Sequence, residues 1–414
     1  PGNSLPRFHM VWGTGWELTY VMIRHLKQHK NHHLVDYRFD HRVTDLEQVN
    51  GRITGLRGHI ETSNEPFYAT AEHIVIATGG INGSIERIKE NWYKPLGVPP
   101  ETILNGAHEY AIGDLHDATS SVNGNVVNLD KQWNYVAGIR HYKPRKPEHG
   151  LSIVPGKSQL WLNYEGRRFG PVPLMSPFDT SYLLERICQE PLKYSWQLLN
   201  QKIANKEFAI SGSEHNHAMR DKKFFKFVWT TLVKGQKNLI DFISRECEDV
   251  ITALSIEELV DKMNALTGEK HVKLNYVREA AQKYDEQIDR GPKFHNDEQL
   301  RRIAYVRQYR GDRARTCKFQ KILEPSAFPL IAIRSFILSR KSLGGIQTDL
   351  RCRVLSKPGI DGSQRPIEGL YAIGEAAGFG GGGIHGRRSL EGTFLGGCVI
   401  TARVCAAAIA GKTL

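Results

Sequence analysis

The chain has 414 residues, 40% of them hydrophobic and 24% charged, enough apolar material to bury a core in about two domains and too much for a disordered polymer. Its formal charge of +12 comes from 56 basic against 44 acidic residues, but the cations are spread along the chain, which argues against a nucleic-acid footprint. Six cysteines at positions 188, 247, 317, 352, 398 and 405 form no CxxC pair or zinc spacing, so reduced, mostly buried thiols of a cytoplasmic protein are expected, without a metal or disulfide framework.

In chain order, the spacing predicts a helix over Glu17–Gln28 and then short strands. These are Asp36–Arg42, Ile53–Gly58 following the Asn50-Gly51 turn, and Ile74–Ala77. From about residue 136 to 335 the pattern turns irregular and more helical, as in an inserted lid. Within it, Arg220–Lys237 interleaves lysines with Phe224, Phe225, Phe227 and Trp229, which predicts a surface helix whose aromatics face a core. Membrane-surface contact is the lesser reading of that segment, and no apolar run reaches the length of a membrane span. Ser255 and Glu258 form a capping-box start, and a charged stretch runs from Val277 to Arg290.

Sheet-forming sequence resumes at Leu330. Leu370–Ile373 is a short apolar run bounded by glycines, suited to a buried strand. Gly374 ends it, and ten glycines fall between there and Gly397, so the backbone can approach a ligand without a β-carbon in the way. From Ser389, Leu390, Phe394, Cys398, Thr401 and Cys405 recur at helical spacing. A helix N-terminus facing a glycine loop suits an anion.

The segment GLYAIGEAAG followed by a glycine-rich loop, His385-Gly386 and a leucine-glycine helix start resembles the closing part of the fumarate reductase, succinate dehydrogenase flavoprotein and 3-ketosteroid dehydrogenase superfamily. Leu343–Asp349 resembles its double-glycine strand, and Ile74–Gly80 its IVIATGG strand and turn. Asn3–His9 with Trp12–Gly15 is similar to the subgroup of FAD-binding dehydrogenases. The resemblance implies an α/β fold: a Rossmann-like FAD-binding domain, a mixed sheet with helices, interrupted by an α+β substrate-capping domain. The expected boundaries are 1–135 and 336–414 for the FAD-binding parts and 136–335 for the cap. No GxGxxG precedes Gly79, so the sequence is expected to start after the family's first β-α-β unit, with a degenerate homologue as the other explanation.

By this resemblance the cofactor is FAD, whose charge accounts for part of the basic excess. Glu375, after Gly374, would accept from a ribose or ribityl hydroxyl. Thr393, Phe394 and Leu395 match positions whose backbone meets the isoalloxazine, and Val43 with Ala77, Thr78, Gly79 and Gly80 match positions near the adenosine. For Val43 plain strand packing is an equal reading. His385 is the first catalytic candidate, followed by Arg388 and Arg387. The fumarate and succinate enzymes carry a clamping arginine four places after that histidine, where this chain has Ser389, and their His-Tyr before the double glycine is Arg340-Lys341 here. That shifts the expectation from a dicarboxylate to a larger, carbonyl-bearing substrate, steroid-like or an enoate. Tyr135, Tyr142 and Tyr164 could offer a proton acceptor, but core-edge packing is the commoner role of tyrosine. The expected function is an FAD-dependent oxidoreductase with a small-molecule substrate and an unidentified electron acceptor or donor. The alternatives are a non-catalytic flavoprotein-like scaffold and a dicarboxylate enzyme.

Overall fold

The structure, a computed structural model, describes residues 11–176, 180–378 and 394–412. Its first eight strands are β1 (His41–Val49), β2 (Arg52–Ile60), β3 (Pro66–Thr70), β4 (Ile74–Ile76), β5 (Ile103–Asn105), β6 (Val126–Val127), β7 (Gln132–Arg140) and β8 (Gly150–Val154). They are followed by β9 (Leu160–Leu162), β10 (Ser195–Asn200), β11 (Ala209–Ile210), β12 (Val250–Ala253), β13 (Leu330–Ser342), β14 (Gly345–Ile346), β15 (Arg353–Leu355) and β16 (Pro366–Ala372). The chain divides into two compact units. One gathers Pro1–His29, Pro100–Leu104 and Tyr135–Leu338, and the other gathers Lys30–Pro99, Asn105–Asn134 and Ser339–Leu414.

The second unit is a mixed sheet with the order β1-β2-β16-β15, on which β3 pairs with β2 and β4 with β16. Asn50 and Gly51, at φ 49° and 82°, close the β1–β2 hairpin in the left-handed conformation that a two-residue turn needs. That turn fixes the register from Val49 opposite Arg52 back to His41 opposite Ile60. The strand expected at Asp36–Arg42 is therefore displaced to His41–Val49, because pairing is counted back from the turn. β16 runs parallel to both β2 and β4, with Leu370 opposite Ile74 and Ala372 opposite Ile76. The apolar run read in the sequence thus sits mid-sheet. Its side chains close a core with Ile53, Ile74, Ile76, Leu115, Val354 and Ile367, the near-continuous apolar pattern of a strand covered on both faces.

The first unit is built on an eight-stranded sheet with the order β11-β8-β7-β13-β10-β9, with β12 and β5 also paired to β13. The capping box forms as expected. The Ser255 hydroxyl accepts from the Glu258 N–H at 3.1 Å, and the Glu258 carboxylate accepts from the Leu254 N–H at 2.9 Å, starting the helix Ile256–Thr267. Glu207 is buried, and its carboxylate accepts from the Lys157, Ser158 and Cys317 N–H groups and the Ser158 hydroxyl. That set of donors makes a buried charge tolerable.

The Arg220–Lys237 expectation needs correction. The segment is a short helix Phe224–Trp229 continued by a π-helical turn Thr230–Lys234, and Phe224, Phe225 and Trp229 are 58%, 87% and 60% exposed. With lysines at 222, 223 and 226 flanking the rings, burying this face would strip water from cations as well. Phe224 and Phe227 meet the Trp12 ring edge-on. All six cysteines are free, and five are buried. Among the described residues no helix is long and apolar enough to cross a membrane.

Candidate functional site

Two neighbouring parallel strands, β4 and β16, end side by side in the second unit, so the loops that follow them emerge from the same edge of the sheet. In open α/β sheets that carboxyl edge is where ligands bind. After β4 come Ala77, Thr78, Gly79 and Gly80; after β16 come Gly374 and Glu375. The sequence candidates from two distant parts of the chain are thereby brought to one place.

What joins the loops is a buried polar network centred on Ser342, at the end of β13. The Ser342 N–H donates to Glu375 Oε1 at 2.8 Å. Its hydroxyl accepts from the Ile81 N–H at 2.9 Å and donates to Asn82 Oδ1 at 2.6 Å. The Asn82 side-chain amide then donates to Ser339 Oγ at 2.9 Å, and that hydroxyl donates back to the Asn82 carbonyl. Asn82, Ser339 and Ser342 are completely buried, so every one of these bonds replaces water that cannot reach them. Gly80 is required by this closeness: a β-carbon there would lie 2.2 Å from Ser342 Oγ and 2.9 Å from Glu375 Oε1. Sequence reasoning missed Asn82, Ser339 and Ser342. Isolated serines and asparagines carry no periodic signal, and their partners stand more than 250 positions apart.

Glu375 is half-buried at the head of the turn Gly374–Ala377. Burial raises its carboxyl above the usual glutamate range, against the Ser342 N–H and the charges of Lys341 and Arg340. Gly374, at φ 61°, lies against Cys398 of the helix Phe394–Ile409, and its N–H donates to the Thr401 hydroxyl at 3.0 Å. On that helix Phe394 is buried under the Lys341 ammonium, which stands 4.6 Å from its ring centre, whereas Leu395 is exposed. Gly345 and Gly378 press backbone to backbone: an added β-carbon on Gly345 would lie 2.4 Å from the Ala376 carbonyl oxygen. The turn bearing Glu375 is therefore gripped by the double-glycine strand on one side and the closing helix on the other.

Below it lies His116, on the helix Asp114–Ser121, only 1% exposed. Burial, then the Arg87 charge, lower its pKa to about 4 against the raising effects of Asp117 and the Ala376 backbone. A neutral imidazole thus packs beneath the turn. Val43 on β1 is half-buried against the core cluster. Thr393, His385, Arg387 and Arg388 lie outside the described residues. Of the tyrosines, Tyr135 packs beside Leu104, Phe336 and Leu338, while burial raises the pKa of Tyr142 and Tyr164, the reverse of an activated base.

The residues present suit a dinucleotide cofactor. A half-buried carboxylate has one oxygen tied to Ser342, glycines remove β-carbons where backbones meet, and the loops sit at the carboxyl edge of parallel strands. This is the class of FAD-dependent oxidoreductases. The chain belongs to the family described as the FAD binding domain, which matches residues 1–395.

It is 38% identical over 416 residues to a KsdD-like steroid dehydrogenase of Mycobacterium tuberculosis, covering 97% of this chain and 72% of that protein. The same identity is found over 408 residues with a KsdD-like steroid dehydrogenase of Mycolicibacterium smegmatis, at 95% and 72% coverage. The 3-ketosteroid delta1-dehydrogenase of Sterolibacterium denitrificans has the same fold at a TM-score of 0.56 and 16% identity, covering 90% of this chain and 59% of that one. The open form of a flavocytochrome c3 fumarate reductase matches at a TM-score of 0.53 and 16% identity, over 90% and 52%. The chain thus spans between half and three-quarters of these proteins' lengths.

Proposed function

We infer that this protein is a dehydrogenase or reductase of a carbon–carbon bond beside a carbonyl, with a 3-ketosteroid-like substrate favoured over a dicarboxylate. The observation that carries the reading is the 38% identity, sustained over 97% of the chain, to a protein named as a KsdD-like steroid dehydrogenase. The arginine missing at the position of Ser389 supports the larger substrate.

FAD, when bound, supplies hydride exchange at its N5. Glu375, whose Oε1 accepts from the Ser342 N–H, would accept from a ribose or ribityl hydroxyl. Ala77, Thr78, Gly79 and Gly80, with Val43, would hold the adenosine part. Gly374 would let the chain turn close to the cofactor, and Thr393, Phe394 and Leu395 would hold the isoalloxazine. His385, Arg387 and Arg388 fix and polarise the substrate carbonyl, a role that suits donors which stay protonated or exchange one proton near neutral pH. Residues 136–335 would form the substrate-capping domain. An electron acceptor would reoxidise the cofactor in the dehydrogenase direction, and an electron donor would reduce it in the reductase direction.

The test is the visible spectrum of the purified protein, followed by anaerobic addition of a 3-ketosteroid. Flavin bands that bleach with the steroid meet the expectation. A spectrum without flavin refutes the reading, and reduced flavin reoxidised by fumarate but indifferent to steroids moves the protein to the dicarboxylate class. In the same assay His385→Ala is expected to retain bound flavin and to slow its reduction at least tenfold; loss of flavin from a folded variant would place His385 at the cofactor instead.

A further inference from the structure

The face of the first unit formed by Phe224–Lys234 combines two properties that seldom occur together on a surface exposed only to water. Phe225, Trp229 and Val233 are spaced i, i+4 and i+8, and are 87%, 60% and 62% exposed, so one stripe of the helix and its π-helical continuation presents large apolar groups outward. The opposite edge is anchored, because Phe224 and Phe227 meet the Trp12 ring at 6.1 and 5.5 Å between centroids. The stripe is thus held outward on a fixed support. Around it stand Lys226, Lys234 and Lys237, all exposed and without an ion-pair partner among the described residues. The nearby carboxylates are already engaged, Asp221 with Arg220 and Lys223, and Glu17 with Lys222.

We propose that this stripe is a docking surface for an anionic lipid bilayer. Charge complementarity selects the partner: unpaired ammonium groups flank exposed phenylalanine and tryptophan, the pairing that places a short helix in the headgroup region with its rings at the acyl boundary. A dry protein groove would instead require burying those lysines without counter-charges. Lysine stems are long enough to keep their charge at the phosphates while the rings go deeper. The inference stands on this surface alone and is independent of the substrate reading.

The experiment is flotation of the purified protein with vesicles of phosphatidylcholine containing phosphatidylserine and with vesicles of phosphatidylcholine alone. The protein is expected to float with the anionic vesicles, to be released by raised salt, and to show a blue shift of tryptophan emission. Phe225→Glu with Trp229→Glu should abolish flotation. Replacing Lys226, Lys234 and Lys237 by Gln should weaken binding roughly a hundredfold. Each variant alters only exposed side chains, and an unchanged melting temperature verifies that it folds. Failure of the wild type to float, equal flotation with both vesicle types, or variants that float like the wild type would overturn the proposal. So would a wild-type dimer that Phe225→Glu and Trp229→Glu turn into a monomer, because the surface would then belong to a second copy.

Discussion

Replacing Ser342 by alanine removes one oxygen atom from the centre of the network that joins the loops after β4 and β16. Two groups lose their partner at once, the Ile81 N–H and the Asn82 side-chain carbonyl, and Asn82 is 0% exposed, so water cannot substitute. An unsatisfied buried polar group costs about 1–3 kcal/mol, which gives about 2–6 kcal/mol for Ser342→Ala. The hydroxyl of Ser195 provides the comparison: it is equally buried but has no hydrogen-bond partner among the described residues. Its deletion to alanine strands nothing and should stay within about 0.5 kcal/mol of the wild type. Urea unfolding gives the difference, and hydrogen exchange locates it. The Ile81 amide should lose its protection in Ser342→Ala while amides in β10, which carries Ser195, keep theirs. Equal stability of the two variants, or an Ile81 amide as protected as before, would refute the network as the element that fixes the loops.

Gly80→Ala forces a β-carbon to 2.2 Å from Ser342 Oγ; it should cost about 1–3 kcal/mol and lower flavin content on purification, measured as the ratio of flavin to protein absorbance. Glu375→Ala strands the Ser342 N–H and should cost about 1–3 kcal/mol of stability, and it should raise the FAD dissociation constant by about tenfold to a hundredfold, the value of one hydrogen bond to a charged group, as read by titrating the apoprotein. His116 gives a pH prediction. Its folded pKa of about 4 lies below the ordinary histidine value of 6.5, so between these values the unfolded chain binds the extra proton. Its contribution is fully present above about pH 6.5 and is lost as pH falls toward 4, by roughly 3 kcal/mol. A His116→Gln variant should flatten that part of the stability profile, and an unchanged slope would contradict a buried neutral imidazole.

The parts of the fold that were legible in the sequence are those whose signal is local. The Asn50-Gly51 turn, the Ser255 capping box and the apolar runs before Gly79 and Gly374 each place their cause within a few residues of their effect. The strand beginning at His41 was read five residues early because its start depends on pairing with β2 and not on its own composition. The outward-facing rings of Phe225 and Trp229 were misjudged because helical spacing reveals a stripe without revealing which way it points. The candidate site divides likewise. Glu375 and its flanking glycines stand in one recognisable phrase. Ser342, Asn82 and Ser339 acquire their roles only when β4, β13 and β16 meet.

That meeting has a consequence for synthesis. Leu370 pairs with Ile74 from roughly three hundred positions downstream, so β4 must wait on the ribosome for most of the chain before its parallel neighbour exists. Contacts of such long separation are slow to close, and they leave apolar edges open in the meantime. Ile74 and Ile76 face that delay, at emergence rates of about 5–20 residues per second, for about 15–60 seconds. The cradle around Glu375 is therefore the last part of its unit to take shape, and a nascent chain stalled before Pro366 would display the very strand edge that the finished protein hides.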